Sequence, residues 1–138
     1  MKLFNSKTIA IANQKGGVGK TTTAVNVASY LSITETPTLL IDMDPQANAT
    51  SGLGVDINNN SKTIYDAILD DAKAEECIHK TNLQYLDVIP STYSLVGAEI
   101  ELVPQMMRED RLKNVIGQLN GKYKYIIIDS APSLGLLT

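Results

Sequence analysis

A glycine-rich segment, KGGVGKTT at Lys15–Thr22, lies between a short apolar run and an amphipathic pattern. The apolar run before it, Thr8–Ala12, has no polar alternation, which predicts a strand covered on both faces. After it, apolar residues recur at helical spacing between Ala24 and Leu31, which predicts a helix with one buried stripe. A glycine-rich turn between a strand and a helix is the context in which such a segment binds phosphate.

The residue types of this segment suit a phosphate-binding loop. Glycine has no Cβ and tolerates positive φ, so consecutive backbone N–H groups can approach phosphate oxygens closely. The helix expected to begin near Lys20 adds unpaired N–H groups and the positive end of its dipole. The Lys20 ammonium can reach the β- and γ-phosphates, and the Thr21 hydroxyl can complete a Mg²⁺ shell. The alternative is a glycine-rich turn with two solvated lysines. The predicted nucleotide-binding residues are Lys15, Gly16, Gly17, Val18, Gly19, Lys20, Thr21 and Thr22.

Three further apolar segments predict buried strands, and these are Thr38–Asp42, Tyr85–Ile89 and Tyr125–Asp129. Helical patterns separate them along the chain. Strands that alternate with helices predict the α/β class with a doubly wound, mostly parallel sheet. The length of 138 residues suits one domain, and no internal repeat or linker divides it. We therefore expect residues 1–138 to form a single nucleotide-binding domain.

The helical patterns differ in how clearly their ends are marked. Thr63–Asp66 resembles a capping box that opens a short helix. Ser94 can cap a helix that Pro104 would kink or break. The segment Pro45–Asn60 is rich in Asn, Gly, Ser and Asp, which predicts loop and turn. A last helical stripe consists of Leu112, Val115, Ile116 and Leu119, and Asn120-Gly121 ends it.

Composition excludes several classes of function. The single cysteine, Cys77, cannot form a disulfide within the chain, and with one histidine, His79, it cannot fill a tetrahedral zinc site. No apolar run approaches the length of a membrane span, so we expect no membrane partner and a cytoplasmic location. The net charge of −3 predicts that this stretch alone binds DNA poorly, because phosphate-backbone binding needs clustered Lys and Arg.

Acidic residues follow two of the predicted strands. Asp42 and Asp44 are two positions apart on an extended segment, so their side chains point the same way. The carboxyl edge of a parallel sheet is where ligands bind. Asp129 ends another apolar strand, where an aspartate can hold Mg²⁺ directly or through a water. The alternative for Asp42 and Asp44 is that both acids only cap the loop that follows them.

The loop departs from the standard Gly-x-x-x-x-Gly-Lys-Ser/Thr pattern, because Gln14 stands at the first glycine position. The segment with its early lysine, Lys15, instead resembles the deviant Walker A motif of ParA/Soj-type chromosome-partitioning ATPases and their MinD relatives. Asp42–Gly54 resembles the switch I region of chromosomal ParA/Soj proteins almost residue for residue. Asp129-x-x-Pro132 with the following Ser-Leu-Gly resembles the Walker B and switch II motifs of that family.

The resemblance implies a P-loop NTPase that binds ATP or ADP with Mg²⁺ and hydrolyses ATP. It implies that Lys20 contacts the phosphates and that Asp44 positions or activates the attacking water. It also implies that Lys15 reaches the partner's phosphates in an ATP-bound homodimer, like an arginine finger supplied in trans. The implied metal-binding residues are Thr21, Asp129 through a water, and Asp44 as a third candidate.

The same resemblance implies partners. The family forms homodimers around ATP, binds non-specific DNA on the nucleoid and responds to a ParB/Spo0J-type protein. Relatives continue past Thr138, so we expect this chain to match the N-terminal part of the family and the DNA-binding surface to lie elsewhere. An inactive nucleotide-binding or structural fragment is the alternative function. The MinD branch lacks the Asp-Pro-Gln-x-Asn run found here, and nitrogenase-type iron proteins need more cysteines than Cys77.

Overall fold

A five-stranded sheet organises the chain in this computed structural model, which describes residues 4–11, 19–69, 71–93 and 105–130. Of Lys20 and residues 105–109 it describes the backbone alone. The elements in chain order are β1 Lys7–Ile11, α1 Lys20–Ile33, β2 Thr38–Asp42, α2 Asn48–Gly52, α3 Ile64–Ile68, a 3₁₀ turn Ala74–Cys77, β3 His79–Lys80, β4 Leu86–Ile89, α4 Gln105–Gln118 and β5 Tyr125–Asp129.

The strands lie in the order β1-β5-β2-β4-β3. Every neighbouring pair is parallel except β3 and β4, which are antiparallel. In the register between β2 and β5, Asp42 lies opposite Asp129 at the carboxyl ends of both strands. The predicted α/β class with a mostly parallel sheet is confirmed. The register also brings two of the predicted site acids to one edge.

Helices cover both faces of the sheet, and each face has its own apolar core. Odd-numbered residues of β2, such as Leu39 and Ile41, face α3 and α4, whereas Leu40 faces α1 and α2. This division follows from the two-residue period of a strand, which sends successive side chains to opposite faces. Both faces of β2 are buried, so its sequence reads as a continuous apolar run.

Helix α1 packs its predicted stripe on the sheet: Ala24 and Ala28 are fully buried, and Val27 and Leu31 are partly buried. Helix α4 does the same on the other face with Leu112 and Val115, and Leu119 packs there just after the helix ends. Within the described ranges, no helix is long and apolar enough to cross a bilayer.

Strand β1 differs from its prediction. It was expected to be covered on both faces, yet its first three residues are exposed and Ile9 keeps 38% of its surface accessible. The reason is its place at the end of the strand order, where it pairs with β5 alone. An apolar run therefore predicted the strand but not its position in the sheet.

The connecting segments also differ from the sequence reading in part. The capping box at Thr63 is confirmed, with Thr63 and Asp66 each accepting a backbone N–H at the start of α3. The predicted loop Pro45–Asn60 contains helix α2, which composition did not indicate. Strand β3 and the 3₁₀ turn were not predicted either, because elements of two and four residues are too short to show a period. The helix predicted to follow Ser94 lies outside the described residues as far as Pro104.

A candidate nucleotide site at the carboxyl edge of the sheet

The first turn of α1 has the features of an anion-binding helix end. Gly19 precedes the helix with φ 91°, a left-handed conformation that residues with a Cβ rarely adopt. No acid lies in the first turn, and within the described part of the chain no side chain caps it. The amide hydrogens of a first helical turn lack intrahelical acceptors, so they are free to bind an anion. Lys20 begins the helix, as expected, while Lys15, Gly16, Gly17 and Val18 lie outside the described residues.

Thr21 and Asp129 are brought together from opposite ends of the chain. The Thr21 hydroxyl donates a hydrogen bond of 3.0 Å to Oδ2 of Asp129, which is fully buried at the end of β5. Thr22, the next residue of the predicted loop, has an exposed side chain. Two of the three predicted metal-binding residues, Thr21 and Asp129, are therefore in direct contact.

Asp42 is buried beside this pair and is held by hydrogen bonds to neutral donors. Its Oδ2 accepts from the backbone N–H of Thr50 at 2.9 Å and from the Thr50 hydroxyl at 2.7 Å. Its Oδ1 accepts from the backbone N–H of Asp44 at 3.0 Å. Burial raises the pKa of Asp42 to about 6, the nearby Asp129 carboxylate adds to the rise, and the three hydrogen bonds oppose it.

Asp44 lies just beyond β2 with a half-buried side chain. Its Oδ1 accepts from the backbone N–H of Gln46 at 3.0 Å, and its carbonyl oxygen accepts from Ala47 at 2.8 Å. The capping role that the sequence left open for Asp44 is therefore present. A half-buried carboxylate of this kind still has lone pairs that can face a ligand.

The oxygen atoms gathered here suit magnesium. A threonine hydroxyl and carboxylates are hard donors, which Mg²⁺ prefers, and it keeps several waters and phosphate oxygens as its other ligands. No group of three or more His, Cys, Asp and Glu that could hold a metal alone occurs among the described residues.

Two residues of this edge were missed by sequence reasoning. Thr50 on α2 and Ser91 after β4 are both buried, and the backbone N–H of Ser91 donates to the Thr50 hydroxyl oxygen at 3.0 Å. The Ser91 hydroxyl in turn donates to the carbonyl oxygen of Asp44. The signal that could have indicated Ser91 is its position, because it follows an apolar strand at the edge where Asp42 and Asp129 end theirs.

The fold and this edge together define a class of protein. A mostly parallel α/β sheet, with a left-handed glycine opening a helix against a strand-terminal aspartate, is the architecture of the P-loop NTPases.

Comparisons with known proteins narrow the class to a family. A family model described as an AAA domain matches residues 6–138. The chain is 57% identical over 130 residues to the chromosome partitioning protein ParA of Myxococcus xanthus, covering 94% of this chain and 46% of that protein. It is 54% identical over 132 residues to the sporulation initiation inhibitor protein Soj of Bacillus subtilis, covering 96% and 52%. The chain belongs to this AAA-domain family and, within it, to the ParA/Soj-type partitioning ATPases.

Solved structures agree with the fold. The Cyanothece McdA–ATP complex matches with a TM-score of 0.88 at 30% identity, over 97% of this chain and 53% of that one. Cobyrinic acid a,c-diamide synthase from Mycobacterium smegmatis with bound ADP and magnesium matches with a TM-score of 0.85 at 34% identity, over 95% and 54%. The chain spans about half the length of the curated relatives it matches.

Proposed function

We propose that this chain binds ATP with Mg²⁺ at the carboxyl edge of its sheet and serves the ATP hydrolysis of a chromosome-partitioning protein. The observation that carries the proposal is the 3.0 Å hydrogen bond between the Thr21 hydroxyl and the buried Asp129 carboxylate. It places a helix start, a hydroxyl and a strand-terminal acid at one point, and nucleoside triphosphates bind with magnesium at such points. The matches to ParA and Soj proteins support the partitioning role.

The residues of the site divide the work between binding and hydrolysis. Backbone N–H groups from Lys15 to Thr22 surround the phosphates, and the Lys20 ammonium contacts the β- and γ-phosphates. The Thr21 hydroxyl and Asp129, the latter through a water, hold Mg²⁺, with Asp44 as a third candidate ligand. The metal, when bound, neutralises charge on the phosphate oxygens.

Asp44 is the proposed catalytic residue for the attacking water. Its carboxylate lies at the same edge as Thr21 and Asp129, and its main chain is held at both the N–H and the carbonyl oxygen. A fixed carboxylate can orient a water and accept its proton as the phosphoryl group is transferred.

Dimerisation completes the proposed cycle. Lys15 contacts the partner protomer's phosphates in an ATP-bound homodimer, which hydrolysis then separates. The partners of the complete gene product are a ParB-type protein and non-specific DNA on the nucleoid. The partitioning role of the related ParA and Soj proteins supports these assignments.

Nucleotide binding and turnover in lysine variants test this function. Removing a charge-assisted contact costs about 1.5–3 kcal/mol, so Lys20→Ala should weaken ATP binding about 10- to 100-fold. Lys113→Ala is the matched control, because Lys113 is exposed on α4. Lys15→Ala should bind ATP normally and lose most of its partner-stimulated hydrolysis.

The outcomes separate the candidates. ATP affinity that is equal in wild type and Lys20→Ala contradicts the loop assignment. ATP binding without phosphate release in the wild type favours the alternative, a nucleotide-binding protein without turnover. Normal partner-stimulated turnover in Lys15→Ala removes its role in trans.

A further inference from the structure

A closed ring of hydrogen bonds surrounds the backbone of Asp44. Asp42 accepts from the Asp44 N–H and from Thr50, Thr50 accepts from the Ser91 N–H, and the Ser91 hydroxyl donates to the Asp44 carbonyl oxygen. The ring therefore returns to the residue at which it starts. Asp42, Thr50 and Ser91 are all at least 98% buried, so water competes poorly for these bonds.

The direction of the central hydrogen bond is determined by its partners. The Thr50 hydroxyl oxygen accepts from a backbone N–H, which can only donate, so its own hydrogen is available for the Asp42 carboxylate. A hydroxyl is needed at position 50 because no apolar side chain can both accept and donate. Thr50 thereby joins the Asp42 carboxylate to the backbone N–H of Ser91.

The ring fixes Asp44 to three separate elements. Asp42 ends β2, Thr50 lies on α2, and Ser91 follows β4, the strand beside β2. The Asp44 N–H donates to Asp42 at the end of β2, and the Asp44 carbonyl oxygen accepts from Ser91 after β4. Supporting hydrogen bonds from rigid elements are what keep a reacting group within a fraction of an ångström of its productive position.

We propose that Thr50 and Ser91, acting with Asp42, are positioning residues that hold Asp44 for ATP hydrolysis. In this proposal they act through the Asp44 backbone and not on the nucleotide or the attacking water. This inference rests on the proposed function, because it assumes that Asp44 acts on the water. It adds two residues from outside the predicted loop to the machinery of the site.

Paired substitutions in the complete gene product test the proposal. Thr50→Val keeps the shape of threonine and removes the hydroxyl, whereas Thr50→Ser keeps the hydroxyl. Ser91→Ala removes only the bond to the Asp44 carbonyl oxygen. Thr38→Val is the matched control, because Thr38 is also fully buried but its hydroxyl bonds to Thr36 at the opposite end of β2.

Turnover and nucleotide affinity are measured for each variant. Misplacing a reacting group by about 1 Å can cost roughly 100-fold in rate, so Thr50→Val and Ser91→Ala should lower kcat about 10- to 100-fold. Their ATP dissociation constants should stay at the wild-type value. Thr50→Ser should restore kcat, and Thr38→Val should not change it. Wild-type kcat in both Thr50→Val and Ser91→Ala contradicts the proposal.

Amide hydrogen exchange of the nucleotide-free protein gives a second readout that needs no activity. The Asp44 and Ser91 amides should exchange about 5-fold faster or more in Thr50→Val, since one lost bond is worth about 1 kcal/mol or more. Unchanged exchange at both amides overturns the ring as a restraint. If Thr50→Val does not fold, amide exchange of the Asp44 segment in Ser91→Ala tests the same restraint.

The two failures are distinguishable. If the wild type does not bind ATP, the proposed function is contradicted. The exchange result then still tests whether the hydrogen-bond ring restrains Asp44. Normal wild-type turnover combined with normal turnover in Thr50→Val and Ser91→Ala contradicts the positioning role alone.

Discussion

Buried acids at the two ends of the sheet have different described partners. At the amino end, Asp87 accepts a 2.7 Å hydrogen bond from the Tyr123 hydroxyl and forms an ion pair with Lys80 at 3.2 Å. At the carboxyl end, the bonds to Asp42 come from amide and hydroxyl donors, and Asp129 lies opposite it in the strand register.

This difference separates an acid that stabilises the fold from acids that we propose serve a ligand. A hydrogen bond from the Tyr123 phenol and an ion pair with Lys80 stabilise the Asp87 carboxylate within the protein. Two buried carboxylates on neighbouring strands repel each other, and burial raises the pKa of Asp42 to about 6. A bound cation relieves that repulsion, which is the physical reason to expect Mg²⁺ at one end of the sheet and not at the other.

The largest effect is expected from matched acid-to-amide substitutions at the two ends. Asp44→Asn should lower kcat for ATP at least about 100-fold, the usual share of a general base, with little change in stability. Asp87→Asn should lower the free energy of unfolding by about 1–3 kcal/mol and leave kcat unchanged. Steady-state ATPase assays and urea denaturation check both. Equal turnover in Asp44→Asn and wild type would contradict the proposed role of Asp44 in ATP hydrolysis.

The strands and the acids on which this contrast depends could be predicted from the sequence. The apolar runs ending in Asp42 and Asp129 predicted two strands with acids at their carboxyl ends, and the register confirms that they are neighbours. The glycine-rich segment predicted the start of α1 at Lys20. Periodicity and strand-to-helix order are local signals, so a single sequence carries them.

The side-chain partners could not be predicted. Thr50 meets Asp42 from eight positions away, and Ser91 meets Thr50 from 41 positions away, because the sheet order places β4 beside β2. Tyr123, which precedes β5, reaches Asp87 on β4 across 36 positions of sequence. Contacts of this kind depend on the three-dimensional order of strands, which no local pattern encodes. The exposed face of β1 has the same cause.

A smaller effect is expected from the phenol at the amino end. Tyr123→Phe removes the hydrogen bond to Asp87 and leaves that carboxylate buried, which should lower the free energy of unfolding by about 1–3 kcal/mol at pH 7. Urea denaturation measures it, and ATP turnover should not change. A loss of turnover would mean that the two ends of the sheet are coupled.

The hydrogen bond between Tyr123 and Asp87 should also make the stability of the protein depend on pH. Burial, with a further contribution from Asp87, raises the pKa of Tyr123 above its ordinary value of about 10. The unfolded chain therefore loses this proton first, so stability from Tyr123 is complete below about pH 10 and falls as pH rises further. The stability difference between wild type and Tyr123→Phe should shrink above about pH 10. Cys77, whose pKa burial raises to about 11, titrates equally in both proteins. A difference that grows with pH contradicts the assignment.

The smallest effect is expected from the cation at the amino end. The Lys80 side chain is 83% exposed, so its pair with Asp87 is screened by water. Lys80→Met should lower the free energy of unfolding by no more than about 1 kcal/mol. Urea denaturation at low and at high salt checks this. A loss of unfolding free energy near that of Tyr123→Phe would show that the ion pair stabilises Asp87 as much as the phenol does.

The magnesium dependence of ATP affinity in Thr21→Val tests the central claim most directly, with Thr23→Val as the matched control on an exposed position of the same helix. We expect Mg²⁺ to tighten ATP binding in the wild type and in Thr23→Val, measured by calorimetry with and without the metal. Thr21→Val should lose that gain. Equal magnesium dependence in Thr21→Val and wild type, or binding that ignores magnesium throughout, would contradict a nucleotide site built on Thr21 and Asp129.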